Sequence, residues 1–333
     1  FGHTRLAVHA TSVVQPITHD GWTYVVNGEI YTRHDCHAIG QVLHLGLDAP
    51  NALDGVFAFV AWHPEHGILA ARDPIGVVPL YVGAQGHVIY FASELKALHM
   101  CDWAMIFPPG TCYDGEFHKY TPEYTIPSII TDTVMVRPLL EYAVQKRLNM
   151  NVPWGVLLSG GLDSTIIAKI VTQCVSPAGY PRVHTFSIGL EGSPDLEAAA
   201  KVARELGTCH HPVVYTIQEG LAAIPAVVGA VETYDVTTIR ASVPMYLLAR
   251  VIRRSGIKVV LSGEGADELF AGYSYNEFAP SAEALGAECI RKMDALHSYD
   301  CARANKSCAA HGVECRVPFL DKEVVHWAMN VLP

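Results

Sequence analysis

Two rhythms of apolar residues divide the chain. Up to about residue 120, short aromatic and β-branched runs recur: Trp22 to Val26, Val56 to Trp62, Gly67 to Ala71, Pro79 to Val82 and His87 to Phe91. Gly, Pro, Asn or Asp turns separate them, which predicts a sandwich of antiparallel sheets with few helices, one of them over 93–99. Between Phe107-Pro108-Pro109-Gly110 and Ile129 the periodicity lapses, and the domain boundary is placed there, giving domains 1–120 and 121–333. Beyond it a helix is predicted from Pro138 to Leu148. Strand-like runs Val156–Leu158, Val183–Ile188, Pro212–Tyr215 and Ile257–Leu261 then alternate with helical stretches Ser164–Cys174, Asp195–Leu206, Gln218–Thr233 and Val243–Arg254. Such alternation implies a parallel sheet covered on both sides, with its ligand at the carboxyl ends of the strands. The expected class is α+β followed by α/β, in two domains.

The first strand of the second half runs into Ser159-Gly160-Gly161-Leu162-Asp163-Ser164-Thr165. Strand, Gly-rich turn and helix start form an anion-binding arrangement, because the free N–H groups of the first helical turn and the helix dipole favour negative charge. Ser164 or Asp163 suits the N-cap. Asp163 is misplaced beside a bare phosphate and makes sense if a divalent cation bridges the two. No lysine follows the glycines and the spacing is not G-x-G-x-x-G, which excludes the usual P-loop and dinucleotide fingerprints. SGGLDST resembles the pyrophosphate-binding loop of the ATP pyrophosphatases, enzymes that adenylate a substrate and release pyrophosphate. The resemblance implies an adenine nucleotide α-hydrolase-like fold, with ATP and Mg²⁺ as ligands. Leu157, Ser159, Gly160, Gly161, Asp163, Ser164, Ile188, Ser262 and Gly263 would then border the nucleotide. The last two open a second Gly-rich turn, Ser262-Gly263-Glu264-Gly265-Ala266-Asp267-Glu268, after the strand ending at Leu261. Asp163 and Asp267 would share the Mg²⁺, leaving Glu264 free for proton transfer.

In the first third, Asn27-Gly28-Glu29 by itself reads as a hairpin turn. It is followed in order by Asp54 to Phe59, Arg72-Asp73-Pro74-Ile75-Gly76, Pro79-Leu80-Tyr81 and Ala92 to Leu98. Together these segments resemble the glutaminase domain of amidotransferases that use an N-terminal cysteine as nucleophile. The resemblance implies that Arg5 clamps the glutamine carboxylate and that Glu29 and Asp35 hold its ammonium. Asn27 and the Gly28 N–H would form an oxyanion hole, with Ala7 and Val8 lining the same site. Here residue 1 is Phe1, and Tyr31 to Asp35 is short for the family. The expectation is that these residues are parts of a longer protein joined under continuous numbering, the alternative being a chain with a dead glutaminase.

Glu232 to Ser242 (ETYDVTTIRAS), Asp300 to Lys306 (DCARANK) and Gly312 to Asp321 (GVECRVPFLD) extend the likeness to glutamine-hydrolysing asparagine synthetases. By that resemblance Thr237 and Arg240 contact pyrophosphate or aspartate, and Lys306 neutralises charge at the adenylated carboxylate. Alone, Lys306 reads as a surface lysine on a helix. The implied substrates are glutamine, aspartate and ATP, and the implied assembly is a homodimer. A β-lactam-forming synthetase, or a non-catalytic paralogue that senses nucleotide or glutamine, are the other readings.

Composition narrows the rest. Lys plus Arg number 23 and Asp plus Glu 33, a formal net charge of −10, which disfavours nucleic acid as a partner. Nine scattered cysteines without a C-x-x-C pair read as free thiols. With no apolar run of membrane-spanning length and no signal-like segment, no membrane partner and a cytoplasmic location are expected. His210-His211, among 17 histidines, lacks further ligands at metal-site spacing and reads as structural.

Overall fold

The computed structural model describes the chain apart from residues 5, 7, 9–12, 32–34, 122–123, 125–132, 176–181 and 331–333 and the side chains at 35 and 133. It forms two compact units, Phe1–Ala7 with Thr11–Tyr124 and Asp294–Ala302, and Val8–Ala10 with Thr125–Met293 and Arg303–Pro333.

The first unit holds strands β1 (Ile17–His19), β2 (Trp22–Ile30), β3 (Gly55–His63), β4 (Gly67–Arg72), β5 (Tyr81–Gln85), β6 (Val88–Ala92), β7 (Trp103–Ile106), β8 (Thr111–Tyr113) and β9 (Phe117–Lys119). They make an antiparallel sheet in the order β1-β2-β3-β4-β8-β9 and a smaller antiparallel one, β6-β5-β7. Alternation along β3 builds two cores. Phe57, Phe59 and Ala61 pack with Tyr24, Val26 and Ile39 of helix α1 (Asp35–Val42), while Ala58 faces Leu80, Val82 and Phe107. The Arg72-Asp73 segment is a buried turn clamp. The Arg72 guanidinium donates to the carbonyls of Gly76, Val78 and Phe107, and the Asp73 carboxylate accepts from four backbone N–H groups between Ile75 and Val78. The expected helix over 93–99 is a short 3₁₀ turn, Leu95–Leu98.

In the second unit, strands β10 (Trp154–Leu157), β11 (His184–Gly189), β12 (Cys209–Val214), β13 (Val259–Leu261) and β14 (Glu314–Arg316) form an all-parallel sheet in the order β12-β11-β10-β13-β14. Helices α2 (Val136–Arg147), α3 (Leu162–Val175), α4 (Pro194–Leu206), α5 (Ile217–Val231) and α6 (Val236–Arg254) lie among the strands, followed by α7 (Ala266–Leu269), α8 (Ala282–Ala295), α9 (Asp300–Ala309) and α10 (Lys322–Ala328). Ile167, Ile170, Val171 and Val175 form the buried face of α3, each worth about 1.5–3 kcal/mol by transfer from water. Helix α6 begins seven residues before the expected Val243. Asp235 caps it by accepting the Thr238 N–H at 2.7 Å, and Pro244 sits inside it. Strand β12 begins at Cys209, and β14 was not anticipated because Glu314-Cys315-Arg316 is too short to show a period. Among the described residues no helix is long and apolar enough to cross a membrane.

Candidate active site

Strand β10 is the middle of the parallel sheet, between β11 and β13, so the loops leaving the carboxyl ends of these three strands are neighbours. The loop after β10 is held by its serines. Ser159 Oγ lies 3.0 Å from Ser164 Oγ, the Ser159 N–H donates to Ser164 Oγ at 3.2 Å, and the Gly161 N–H donates to Ser159 Oγ at 3.3 Å. The Gly161 carbonyl accepts the Thr165 N–H, so α3 starts at Leu162. Asp163 and Ser164 therefore stand inside the first turn, and neither is its N-cap. Gly160 has φ +84°, and a Cβ there would press within 2.6 Å of the Ala198 and Ala199 backbone of α4. Glycine is required on both counts.

The second Gly-rich turn lies against the first. A Cβ on Gly263 would stand 2.9 Å from the Ser164 nitrogen and 3.0 Å from the Asp163 carbonyl carbon. That approach brings α7, and with it Asp267, beside the start of α3. Burial pushes the Asp163 carboxyl above its ordinary value, and the negative charge of Asp267 pushes it further. Two carboxylates that repel each other beside a helix start make a donor set suited to a hard divalent cation. Ser262 is buried; its N–H donates to the Arg316 carbonyl and its hydroxyl accepts the Glu264 N–H at 3.3 Å. Leu157 is buried in β10, and Ile188 with Gly189 lines a cavity of about 480 Å³ at the end of β11, bordered by the start of α4.

Glu264 differs from expectation. Its carboxylate is ion-paired with Arg303 of α9, so it is not the unengaged acid of the turn. The third carboxylate there, Glu268, is buried and accepts the Tyr273 hydroxyl. Lys306 is no surface lysine: it is 1% exposed and ion-paired with Glu232, the left-handed residue that closes α5 at φ +61°. This pair ties α9 to the turn leading into α6. There Thr237 and Arg240 are solvent-exposed, and Arg240 borders a cleft of about 530 Å³ that shares Leu190 and Tyr215 with the cavity at β11. Arg303 and Glu232 were missed by sequence reasoning. Both stand in recognised segments, but their partners lie 39 and 74 residues away in the chain.

In the first unit Asn27, Gly28 and Glu29 lie inside β2, paired with Ala58, Phe57 and Val56 of β3, rather than in a hairpin turn. Gly28 has φ +116°, and a Cβ there would meet the Val56 and Phe57 backbone. Exposed Asn27 donates to Ser93 Oγ at 3.4 Å, and Glu29 is buried. Asp35 opens α1, its side chain outside the described residues, as are Arg5 and Ala7. Val8 is buried within the second unit, its carbonyl accepting the Asn151 N–H at 3.1 Å.

Comparison with known proteins shows what the chain is similar to. The family described as asparagine synthase matches residues 135–283 and 277–333, and the glutamine amidotransferase domain matches 32–100. The chain is 44% identical to asparagine synthetase [glutamine-hydrolyzing] 1 of Saccharomyces cerevisiae over 393 aligned positions, covering 100% of this chain and 69% of the yeast protein. The aligned length exceeds 333 residues, so the yeast protein carries segments with no counterpart here. A probable asparagine synthetase [glutamine-hydrolyzing] of Schizosaccharomyces pombe is 46% identical, covering 99% of this chain and 68% of that one. Asparagine synthetase B [glutamine-hydrolyzing] of Escherichia coli is 44% identical over 99% of this chain and 67% of its own length.

Proposed function

The chain belongs to the asparagine synthase family, and we propose that it converts aspartate to asparagine with ATP, drawing the nitrogen from glutamine. The observation that carries this reading is the packing of Gly263 onto Asp163 and Ser164, which sets two Gly-rich turns at adjacent strand ends against each other and supports a single anion site there. In the proposed sequence the aspartate side-chain carboxylate attacks the α-phosphorus of ATP, giving β-aspartyl-AMP and pyrophosphate. Ammonia then attacks the acyl carbon and AMP leaves.

Ser159, Gly160, Gly161 and Ser164 cradle the phosphates with hydroxyl and N–H donors, and Leu157, Ile188, Ser262 and Gly263 border the nucleotide. Asp163 and Asp267 would hold Mg²⁺, which when bound screens the triphosphate charge; the raised proton affinity of Asp163 supports that assignment. Lys306, Arg240 and Thr237 stabilise the anions gathered around the reacting carboxylate. Glu264, oriented by Arg303, accepts a proton from the attacking ammonia. Arg5, Ala7, Val8, Asn27, Gly28, Glu29 and Asp35 are proposed for glutamine, with buried Glu29 and Gly28, whose φ of +116° suits only glycine, the best supported. A cytoplasmic location and a homodimer belong to the same proposal. The nine free cysteines favour a reducing compartment, and light scattering tests the dimer.

The test is formation of asparagine and pyrophosphate from aspartate and MgATP, with ammonium and with glutamine as parallel nitrogen sources. Equal molar yields of both products with ammonium are expected. Absence of asparagine with either source overturns the reading.

A further inference from the structure

The His210-His211 pair, unaccompanied in the sequence, acquires partners when β11 and β12 pair in parallel. Register sets His184 opposite Cys209 and Phe186 opposite His211, so side chains of one face of both strands converge. His184 Nδ1 lies 2.8 Å from His211 Nε2, and Cys209 Sγ lies 3.6 Å from the same nitrogen. One ligand atom from each of the three residues falls within 4.8 Å of the other two. Among the described residues this is the one such group of three. His210 points to the opposite face, bonding Thr185 Oγ1 at 3.0 Å and Ser187 Oγ at 3.1 Å, and takes no part.

We propose that His184, Cys209 and His211 form a binding site for a zinc ion, with water as fourth ligand. Imidazole nitrogen and thiolate sulfur are the donors zinc prefers, and three protein ligands with one open position are a recurrent arrangement. At usual Zn–N and Zn–S lengths, a tetrahedron sets two nitrogens about 3.3 Å apart and nitrogen and sulfur about 3.6 Å apart. The Cys209–His211 separation already meets this, and the two rings need part by only about half an ångström. Their planes are 14° apart with centroids 5.1 Å apart, the arrangement of two rings joined nitrogen to nitrogen through a single proton. On binding, that proton moves to the other nitrogen of one ring, and the Cys209 thiol proton leaves to solvent.

The position gives the site its role. His184 and Cys209 are the first residues of their strands, at the opposite end of the sheet from the Gly-rich turns, and β12 is an edge strand. A zinc ion there ties the edge strand to its neighbour without touching the candidate active site. All three residues are partly buried, so the ion has a route in and a water can complete its coordination.

Cobalt(II) titration of the metal-stripped protein tests the proposal, since a four-coordinate Co²⁺ thiolate site absorbs in the near ultraviolet and visible. One equivalent should develop both bands and be displaced by Zn²⁺. Cys209→Ser should abolish the thiolate band and His211→Gln should weaken binding more than tenfold, while Cys174→Ser should leave both unchanged. In the unmutated protein, Zn²⁺ should protect Cys209 from alkylation by iodoacetamide, read by peptide mass spectrometry; this arm stands even if a variant misfolds. Bands that persist unchanged in both site variants, no bands at one equivalent, or Cys209 alkylated equally with and without Zn²⁺ would overturn it.

Discussion

Lys306 and Glu232 form a buried ion pair, Lys306 being 1% and Glu232 6% exposed. Removing one member leaves the other charged in a dry environment, which typically costs about 3–5 kcal/mol. Lys306→Met and Glu232→Gln should each lower the unfolding free energy from urea titration by an amount of that order. A loss below about 0.5 kcal/mol, as for a surface lysine, would contradict the buried placement.

Gly263→Ala asks whether the two Gly-rich turns act as one site. The added methyl faces the backbone of Asp163 and Ser164, which has no flexible end to yield. The turns must part, and ATP affinity measured by calorimetry should fall at least about tenfold, while overpacking costs about 1–3 kcal/mol of stability. Unchanged affinity would mean that the nucleotide does not span both turns.

Asp267→Asn should have two opposite effects. Because burial and Asp267 raise the Asp163 carboxyl, ionised Asp163 destabilises the metal-free fold above that raised value, and the penalty disappears as pH falls below it. Removing the Asp267 charge should therefore raise the thermal midpoint of the metal-free protein at neutral pH. The same change should raise the Mg²⁺ concentration needed for pyrophosphate release by at least about tenfold. It should also move the acid limb of Mg²⁺ dependence to lower pH. A midpoint that falls, with Mg²⁺ dependence unaltered, would separate the two aspartates.

Asp321 gives a pH signature of its own. Burial works to raise its carboxyl, but Arg147 at 2.6 Å and Lys146 at 2.7 Å outweigh burial and hold it below the ordinary value. A depressed carboxylate contributes stability that is complete above the unfolded value near about 4 and is lost as pH falls through the folded value. Asp321→Asn, leaving two buried cations, should cost about 3–5 kcal/mol at pH 7. The gap between variant and parent should hold from pH 7 to about 5 and close below about 4. A gap independent of pH would show that charge is not its source, since Asn can still accept the Glu323 N–H that Asp321 accepts at the start of α10.

Much of the architecture was written along the chain, because its signals are local. The strands from Trp22 to Phe91 show in alternation and turn residues, and the strand–helix order after Pro138 shows in the switch of period. SGGLDST and the turn at Ser262 could be read because backbone approach to an anion demands glycine at fixed spacing. Their packing onto each other could not be read, since it depends on β10 and β13 becoming neighbours. For the same reason Lys306, taken alone, reads as a surface lysine and Glu264 as an unengaged acid, whereas α9 brings Lys306 and Arg303 to their partners. Helix α6 starts before the expected Val243 because the Asp235 cap and the burial of Leu247, Leu248 and Ile252 carry it through Pro244. Asn27-Gly28-Glu29 looked like a turn because Asn-Gly usually is one, whereas the ladder to β3 holds it extended. The chain by itself determined which segments are strand, helix and anion loop, through short-range sterics and hydrogen bonding. Only the tertiary structure decided which charges are buried together and which histidine meets which cysteine, because those contacts join residues that only sheet order makes adjacent.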